Sequence, residues 1–157
     1  MDIEEKIVPD QMIAVIKHKG PLSDIETLTA QLMGWVETEE IETAGDIFAI
    51  YYNNIKRFKD ADDVVYDLGI PIADDQEIDD TPLLTVEKLI EHRVLSATHN
   101  GPLDNIRGIY EEIVDFADKN NYDIIGSPQE NYVKSIYDVE NPEDMVTEIQ
   151  LPVVKMA

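Results

Sequence analysis

Gln129-Glu130-Asn131-Tyr132-Val133 and Thr147-Glu148-Ile149-Gln150-Leu151-Pro152-Val153 are the two ends of one stretch, Gly126–Val153, that reads as two strands joined by a polar loop. Side chains alternate across a strand. In the second piece Thr147, Ile149, Leu151 and Val153 therefore share an apolar face, which is expected to meet a helix, and Val146, Glu148 and Gln150 share the other. In the first piece Glu130 and Tyr132 share one face and Asn131 and Val133 the opposite one. An acid inside a strand needs a reason, and the rest of the chain supplies the frame for it.

Displaced by 81 residues, the chain matches itself without a gap. His18, Gly20, Pro21, Leu22 and Ile25 fall on His99, Gly101, Pro102, Leu103 and Ile106; Gly45, Tyr51 and Ile55 fall on Gly126, Tyr132 and Ile136; Asp63, Val65 and Pro71 fall on Asp144, Val146 and Pro152. An internal duplication follows, and it governs the fold. Each copy has the same grammar. Met12–Lys19 and Val94–His99 read as strands, and Gly20-Pro21 and Gly101-Pro102 break the chain after them. Helices follow at about Ser23–Glu39 and Asp104–Asn120, with Ser23 or Asp24 placed to cap the first. Ile25, Leu28, Leu32 and Trp35 form an apolar stripe on one helix, and Ile106, Ile109, Ile113 and Phe116 on the other. Two strands complete each copy: Ile47–Asn53 and Val64–Ile72, then Gln129–Tyr137 and Met145–Val153. Ile3–Val8 and Leu84–Ile90 are expected to extend the sheets.

The expected fold is α+β: two tandem strand–helix–strand–strand modules related by a pseudo-twofold, their antiparallel sheets forming a shared concave cleft with the helices on the opposite side. Residues 1–157 make a single domain of two repeats, about 1–73 and 84–157, joined by an acidic, solvated linker at 73–83. Ile47-Phe48-Ala49-Ile50-Tyr51-Tyr52 is apolar or aromatic on both faces, so the face away from the helix is expected to be covered too. On this reading Tyr51 and Tyr132 occupy related positions facing the cleft, and Ala49 and Glu130 form the unequal pair before them.

The totals exclude several classes. The chain carries 12 basic against 34 acidic residues, a formal charge of −22, so it offers no basic footprint for nucleic acid or an anionic membrane. It has no Cys, which removes thiol chemistry and Cys-type zinc sites. No apolar run is long enough to span a bilayer, and Asp2, Glu4 and Glu5 are wrong for a secretory leader, so the cytoplasm is the expected compartment. His18 and His99 stand two residues before Gly-Pro in both copies, which argues for a shared loop-fixing hydrogen bond rather than a metal site. Asp74–Asp80 lacks the glycine and the ligand spacing of a calcium loop. No cofactor or metal is expected.

His-x-Gly-Pro before each helix, Glu130-x-Tyr132 within a strand, and Thr147-Glu-Ile-x-Leu-Pro-Val153 at the end resemble the GyrI-like small-molecule-binding domain, which is also the effector-binding part of multidrug-responsive transcription activators. The resemblance covers nearly the whole chain. It implies an aromatic cleft between the modules in which a buried Glu, matched here by Glu130, receives lipophilic cations. The resemblance also implies a hydrolase possibility, since some relatives open cyclopropane-bearing toxins with a Glu and an aromatic hydroxyl, which Glu130 with Tyr132 or a facing Tyr would match. Leu22 and Leu103 stand where an aromatic often follows Gly-Pro, and Gln129 stands where an apolar residue often precedes the acid. The activators' DNA-binding domain is not expected here.

The leading expectation is a stand-alone protein that binds hydrophobic, cationic small molecules through Glu130, Tyr132, Tyr51, Ala49, Glu148 and Val146, in sequestration or sensing. One alternative is a hydrolase of strained electrophiles with Glu130 and Tyr132 as catalytic residues. The other is an acidic module that binds and inhibits a protein partner.

Overall fold

A computed structural model describes residues 2–52, 64–79, 81–103, 106–135 and 137–156. The chain divides into two compact units. The contiguous one, Pro9–Glu91, contains β2 (Gln11–Gly20), α1 (Ile25–Thr38), β3 (Phe48–Tyr51), β4 (Val64–Ile72) and β5 (Thr85–Leu89). The discontinuous one joins residues 1–8 to 92–157 and contains β1 (Ile3–Val8), β6 (His92–Asn100), α2 (Ile106–Lys119), β7 (Tyr122–Ile124), β8 (Gln129–Lys134) and β9 (Val146–Lys155). The fold is α+β, with antiparallel pairing in the order β5-β2-β4-β3 in one unit and β1-β6-β9-β8 in the other, β7 adding to β9.

The duplicated sequence folds into duplicated registers. Ile13 faces Pro71 as Val94 faces Pro152; Ala49 faces Leu68 as Glu130 faces Ile149; Tyr51 faces Tyr66 as Tyr132 faces Thr147. The flanking strands keep register too, but each is lent to the other copy. β1 precedes the first copy and pairs with β6 of the second; β5 precedes the second and pairs with β2 of the first. The spatial units therefore differ from the stretches 1–73 and 84–157 that the sequence repeat suggests. Both lent strands are outermost in their sheets and carry charge where the edge is open, Glu4, Glu5 and Lys6 in one and Glu87 and Lys88 in the other. Charge of this kind discourages edge-to-edge pairing.

Each helix lays its apolar side on its own sheet. Leu28 and Leu32 of α1 are buried, as are Ile109, Tyr110, Ile113 and Ala117 of α2. Each fully buried aliphatic side chain contributes about 1.5–3 kcal/mol of transfer free energy. The buried side of α2 is turned slightly from the expected stripe: Tyr110 and Ala117 go inside, while Ile106 and Phe116 are only half-buried. That turn brings a phenol into the core. Asp24 begins α1 without capping it through its side chain. Its carboxyl is engaged instead by His18 Nε2 at 2.8 Å. His99 Nε2 lies 2.8 Å from the carbonyl of Pro102. Both histidines fix the loop after their strand, with different partners. At the second break the backbone needs glycine: Gly101 has φ 106° and its N–H donates to Met145 O at 2.8 Å.

The predicted strands appear with ends shifted by a few residues, while β7 has no counterpart in the sequence reading. The expected helix start at Asp104 lies outside the described residues. The acidic connector belongs to the contiguous unit and is tied to it. Gln76 accepts from the Glu42 N–H at 2.6 Å and donates to the Glu42 carbonyl at 2.8 Å.

Candidate functional site

The site is assembled on the helix-facing side of the discontinuous sheet. Glu130 lies opposite Ile149, and Tyr132 opposite Thr147. Directly paired residues point to the same side of an antiparallel sheet, so Glu130 and Tyr132 join the apolar face of β9, the face beneath α2. Glu130 is 4% exposed. Tyr110, reaching down from α2, donates its hydroxyl to Glu130 Oε2 at 2.6 Å. Tyr132 donates to Oε1 at 3.2 Å. Among the described residues no Lys, Arg or His pairs with this carboxyl. Burial pushes the Glu130 carboxyl above its ordinary range, and the two phenol hydrogen bonds only partly oppose it.

This placement corrects one expectation. Glu130 and Tyr132 were expected on the side away from the helix; the pairing of Glu130 with Ile149 puts them on the helix side. Alternation set the two faces of each strand, but the pairing between strands decides which faces coincide. The predicted set consequently divides. Glu130 and Tyr132 come together. Glu148 and Val146 lie on the neighbouring strand β9, on the opposite face of the sheet. Tyr51 and Ala49 belong to the contiguous unit, opposite Tyr66 and Leu68, and both are buried. There the ring of Tyr51 lies 5.9 Å from that of Tyr66, and His18 meets Tyr66 edge-on at 5.4 Å.

Glu148 has its own polar network. Ser96 Oγ donates to Oε2 at 2.6 Å, Lys6 Nζ at 2.9 Å, and Asn131 Nδ2 donates to Oε1 at 3.1 Å. Burial alone would push this carboxyl up, but the bonds from Ser96, Lys6 and Asn131 outweigh it and hold it below the ordinary range. Glu148 is thus a compensated acid and Glu130 an uncompensated one. The twin of Glu148, Asp67, is likewise engaged, accepting from Tyr52 at 2.5 Å with Lys17 at 3.8 Å. Val146 borders a polar depression of roughly 660 Å³ at the β8–β9 end, lined also by Asn100, Lys134, Asp138 and Glu143. Among the described residues no three His, Asp or Glu side chains are gathered to hold a metal ion, and no helix is long and apolar enough to cross a membrane.

Sequence reasoning missed Tyr110. The duplication held the signal: the position equivalent to Tyr110 is Thr29, and the position equivalent to Glu130 is Ala49. The acid and the phenol that binds it are absent together from the first copy.

The GyrI-like small-molecule-binding domain aligns with residues 1–154. The chain belongs to the GyrI-like family. Its fold agrees with solved GyrI-like structures at low identity. It is similar to the C-terminal domain of EcmrR (TM-score 0.86, 18% identity, 99% of this chain and 98% of that one). It spans 58% of the EcmrR chain seen in a complex with DNA. It is similar to a hydrolase from Listeria innocua (TM-score 0.72, 16% identity, 97% and 91%) and to SAV2435, solved bound to tetraphenylphosphonium (TM-score 0.59, 13% identity, 98% and 94%). A comparison with curated protein sequences gave no match. As a GyrI-like domain the chain is a small-molecule-binding module.

Proposed function

We propose that the ligand is a lipophilic cation and that Glu130 is its counter-charge. One observation carries this reading: a carboxyl 4% exposed whose described partners are two neutral phenols. An ionised carboxylate in such a place costs several kcal/mol unless a positive charge joins it. A cation with apolar substituents satisfies both the charge and the surroundings, and the Tyr110 and Tyr132 rings add cation–π attraction of about 0.5–2 kcal/mol. Tyr132 is half-buried and Tyr110 fully buried, so approach is from the Tyr132 side. The charge of −22 concentrates cations around the protein. Sequestration or sensing is the role that fits.

Isothermal titration with tetraphenylphosphonium tests the reading. Binding by the wild type, weakened at least about tenfold in Glu130→Gln, is the expected result, since the change removes the charge and little else. Equal affinity in the two proteins refutes the role of Glu130. A cation beside the carboxyl also favours its ionised form, so binding should release protons, visible as a dependence of the observed heat on the buffer.

The same geometry favours a second reading. A buried carboxyl whose pKa burial raises, accepting from a phenol at 2.6 Å, is arranged as a general acid would be. Incubation with a cyclopropane-bearing electrophile separates the two: ring-opened product that disappears in Glu130→Gln supports hydrolysis, and an unaltered compound rules it out for that substrate.

A further inference from the structure

We infer that Thr147 is a ligand-binding residue that selects cations bearing N–H groups, protonated amines rather than quaternary ions; this rests on the reading of Glu130 given above. Thr147 is 1% exposed, and its Oγ1 has no hydrogen-bond partner among the described residues. It lies directly opposite Tyr132, two residues along β9 from Ile149, the partner of Glu130. Thr147 and Glu130 are therefore diagonal neighbours on one face, about 7 Å apart at the backbone and closer between side chains. A buried hydroxyl left unpaired is unfavourable, and native structures seldom keep one without a reason.

The first copy shows what the same position does without a charged neighbour. There the residue is Tyr66, fully buried, its ring packed against Tyr51 and His18, and the residue across the diagonal is Ala49. In the second copy three positions change in concert: Ala49 corresponds to Glu130, Thr29 to Tyr110, and Tyr66 to Thr147. The acid appears, a phenol that donates to it appears, and the large ring beside it is reduced to a small hydroxyl.

Hydrogen bonding then decides the ligand class. Tyr110 and Tyr132 each occupy one carboxyl oxygen of Glu130 as donors. Each oxygen retains a further lone pair, and Thr147 Oγ1 offers its own. A single ammonium nitrogen bonds two acceptors that are about 5 Å apart, each at ordinary hydrogen-bond length. It satisfies the carboxylate and the hydroxyl together. A quaternary ion neutralises Glu130 but leaves Thr147 unpaired.

Two probes with one hydrophobic body make the test: 4-phenylbutylamine, protonated at neutral pH, and 4-phenylbutyltrimethylammonium, titrated into wild type, Thr147→Val, Thr147→Ser and Glu130→Gln. Thr147→Val keeps the shape and the strand propensity, and its urea midpoint checks folding. The expected result is a loss of about ten- to a hundredfold in affinity for the amine in Thr147→Val, the worth of one hydrogen bond from a charged donor, with less than a twofold change for the quaternary ion. Thr147→Ser should retain the amine affinity, and Glu130→Gln should weaken both probes. Equal effects of Thr147→Val on both probes, or none on either, while Glu130→Gln weakens both, overturn the role of Thr147 and leave Glu130 as the counter-charge. No effect of Glu130→Gln on either probe overturns both readings.

Discussion

Replacing Glu130 by Gln should change how stability depends on pH in a way that no exposed acid would. The carboxyl is 4% exposed and held by Tyr110 and Tyr132, and burial raises its pKa above the ordinary value. In the unfolded chain Glu titrates near 4.3. Below that value Glu130 is protonated in both states and its contribution is constant. As pH rises through the interval between the unfolded and folded values, the unfolded chain loses this proton while the folded protein keeps it. Stability then falls by about 1.4 kcal/mol per pH unit for this one group. Above the folded value both states are ionised and the loss stops growing. The amide of the Glu130→Gln variant does not titrate. The other acids are common to both proteins, so their contributions cancel when one profile is subtracted from the other. Urea unfolding of both proteins from pH 4 to 9, by circular dichroism, gives the difference directly. It should move in favour of the variant as pH rises, with that slope, and then level off. A flat difference would show that Glu130 titrates normally. A difference moving the other way would show that the tyrosine bonds outweigh burial, and Glu130 would no longer count as an uncompensated acid.

Four further outcomes follow from the same structure. Tyr110→Phe removes the shorter bond to Glu130, worth about 1.5–3 kcal/mol to the ionised form; the falling part of the pH profile should extend to higher pH in this variant. Glu148→Gln should do the opposite of Glu130→Gln. Its folded pKa is depressed, so the stability it contributes is present above the unfolded Glu value and is lost as pH falls through the folded one; the variant should cost about 1–3 kcal/mol at neutral pH and nothing in strong acid. Gly69→Ala places a Cβ 2.7 Å from Val15 Cγ1 and 2.8 Å from both Ala14 O and Phe48 Cζ, and should lower stability by about 2 kcal/mol or more in urea melts. Tyr66→Phe deletes a fully buried hydroxyl without a described partner, whose pKa burial lifts to about 12, and should raise the urea midpoint, by about 1 kcal/mol in stability.

The repeat made most of the fold legible. Once His18-x-Gly20-Pro21 was aligned with His99-x-Gly101-Pro102, one set of elements served for both copies, and the observed registers agree pair by pair. β7 was not legible because Tyr122-Asp123-Ile124 is too short for alternation to register, and it exists only as a partner for the end of β9. The lending of β1 and β5 was not legible either: both strands pair in the same register as their counterparts would, so local pattern carries no information about which copy receives them. Of the candidate site, Glu130 and Tyr132 were readable from an acid and a phenol two apart in a strand. Glu148 was grouped with them because all three were expected on the face away from the helix, whereas pairing across strands puts Glu130 and Tyr132 on the helix side and leaves Glu148 on the other face. Tyr110 was hidden because helical spacing credited Ile109 and Ile113 with the stripe and left the residue between them as its border.

The exchange of β1 and β5 also sets an order in time. The stretch 9–91 carries β2, β3, β4 and β5 in one contiguous run, so their pairings with one another can form as soon as it has been synthesised. The discontinuous unit cannot do the same. Ile3–Val8 is made first, yet its partner β6 emerges only about ninety residues later, a separation at which loop closure is slow. Until then β1 is an unaccompanied strand, and its sequence, Ile-Glu-Glu-Lys-Ile-Val, keeps three charges in its middle. The unit holding Glu130 is therefore expected to be the last part of the chain to fold.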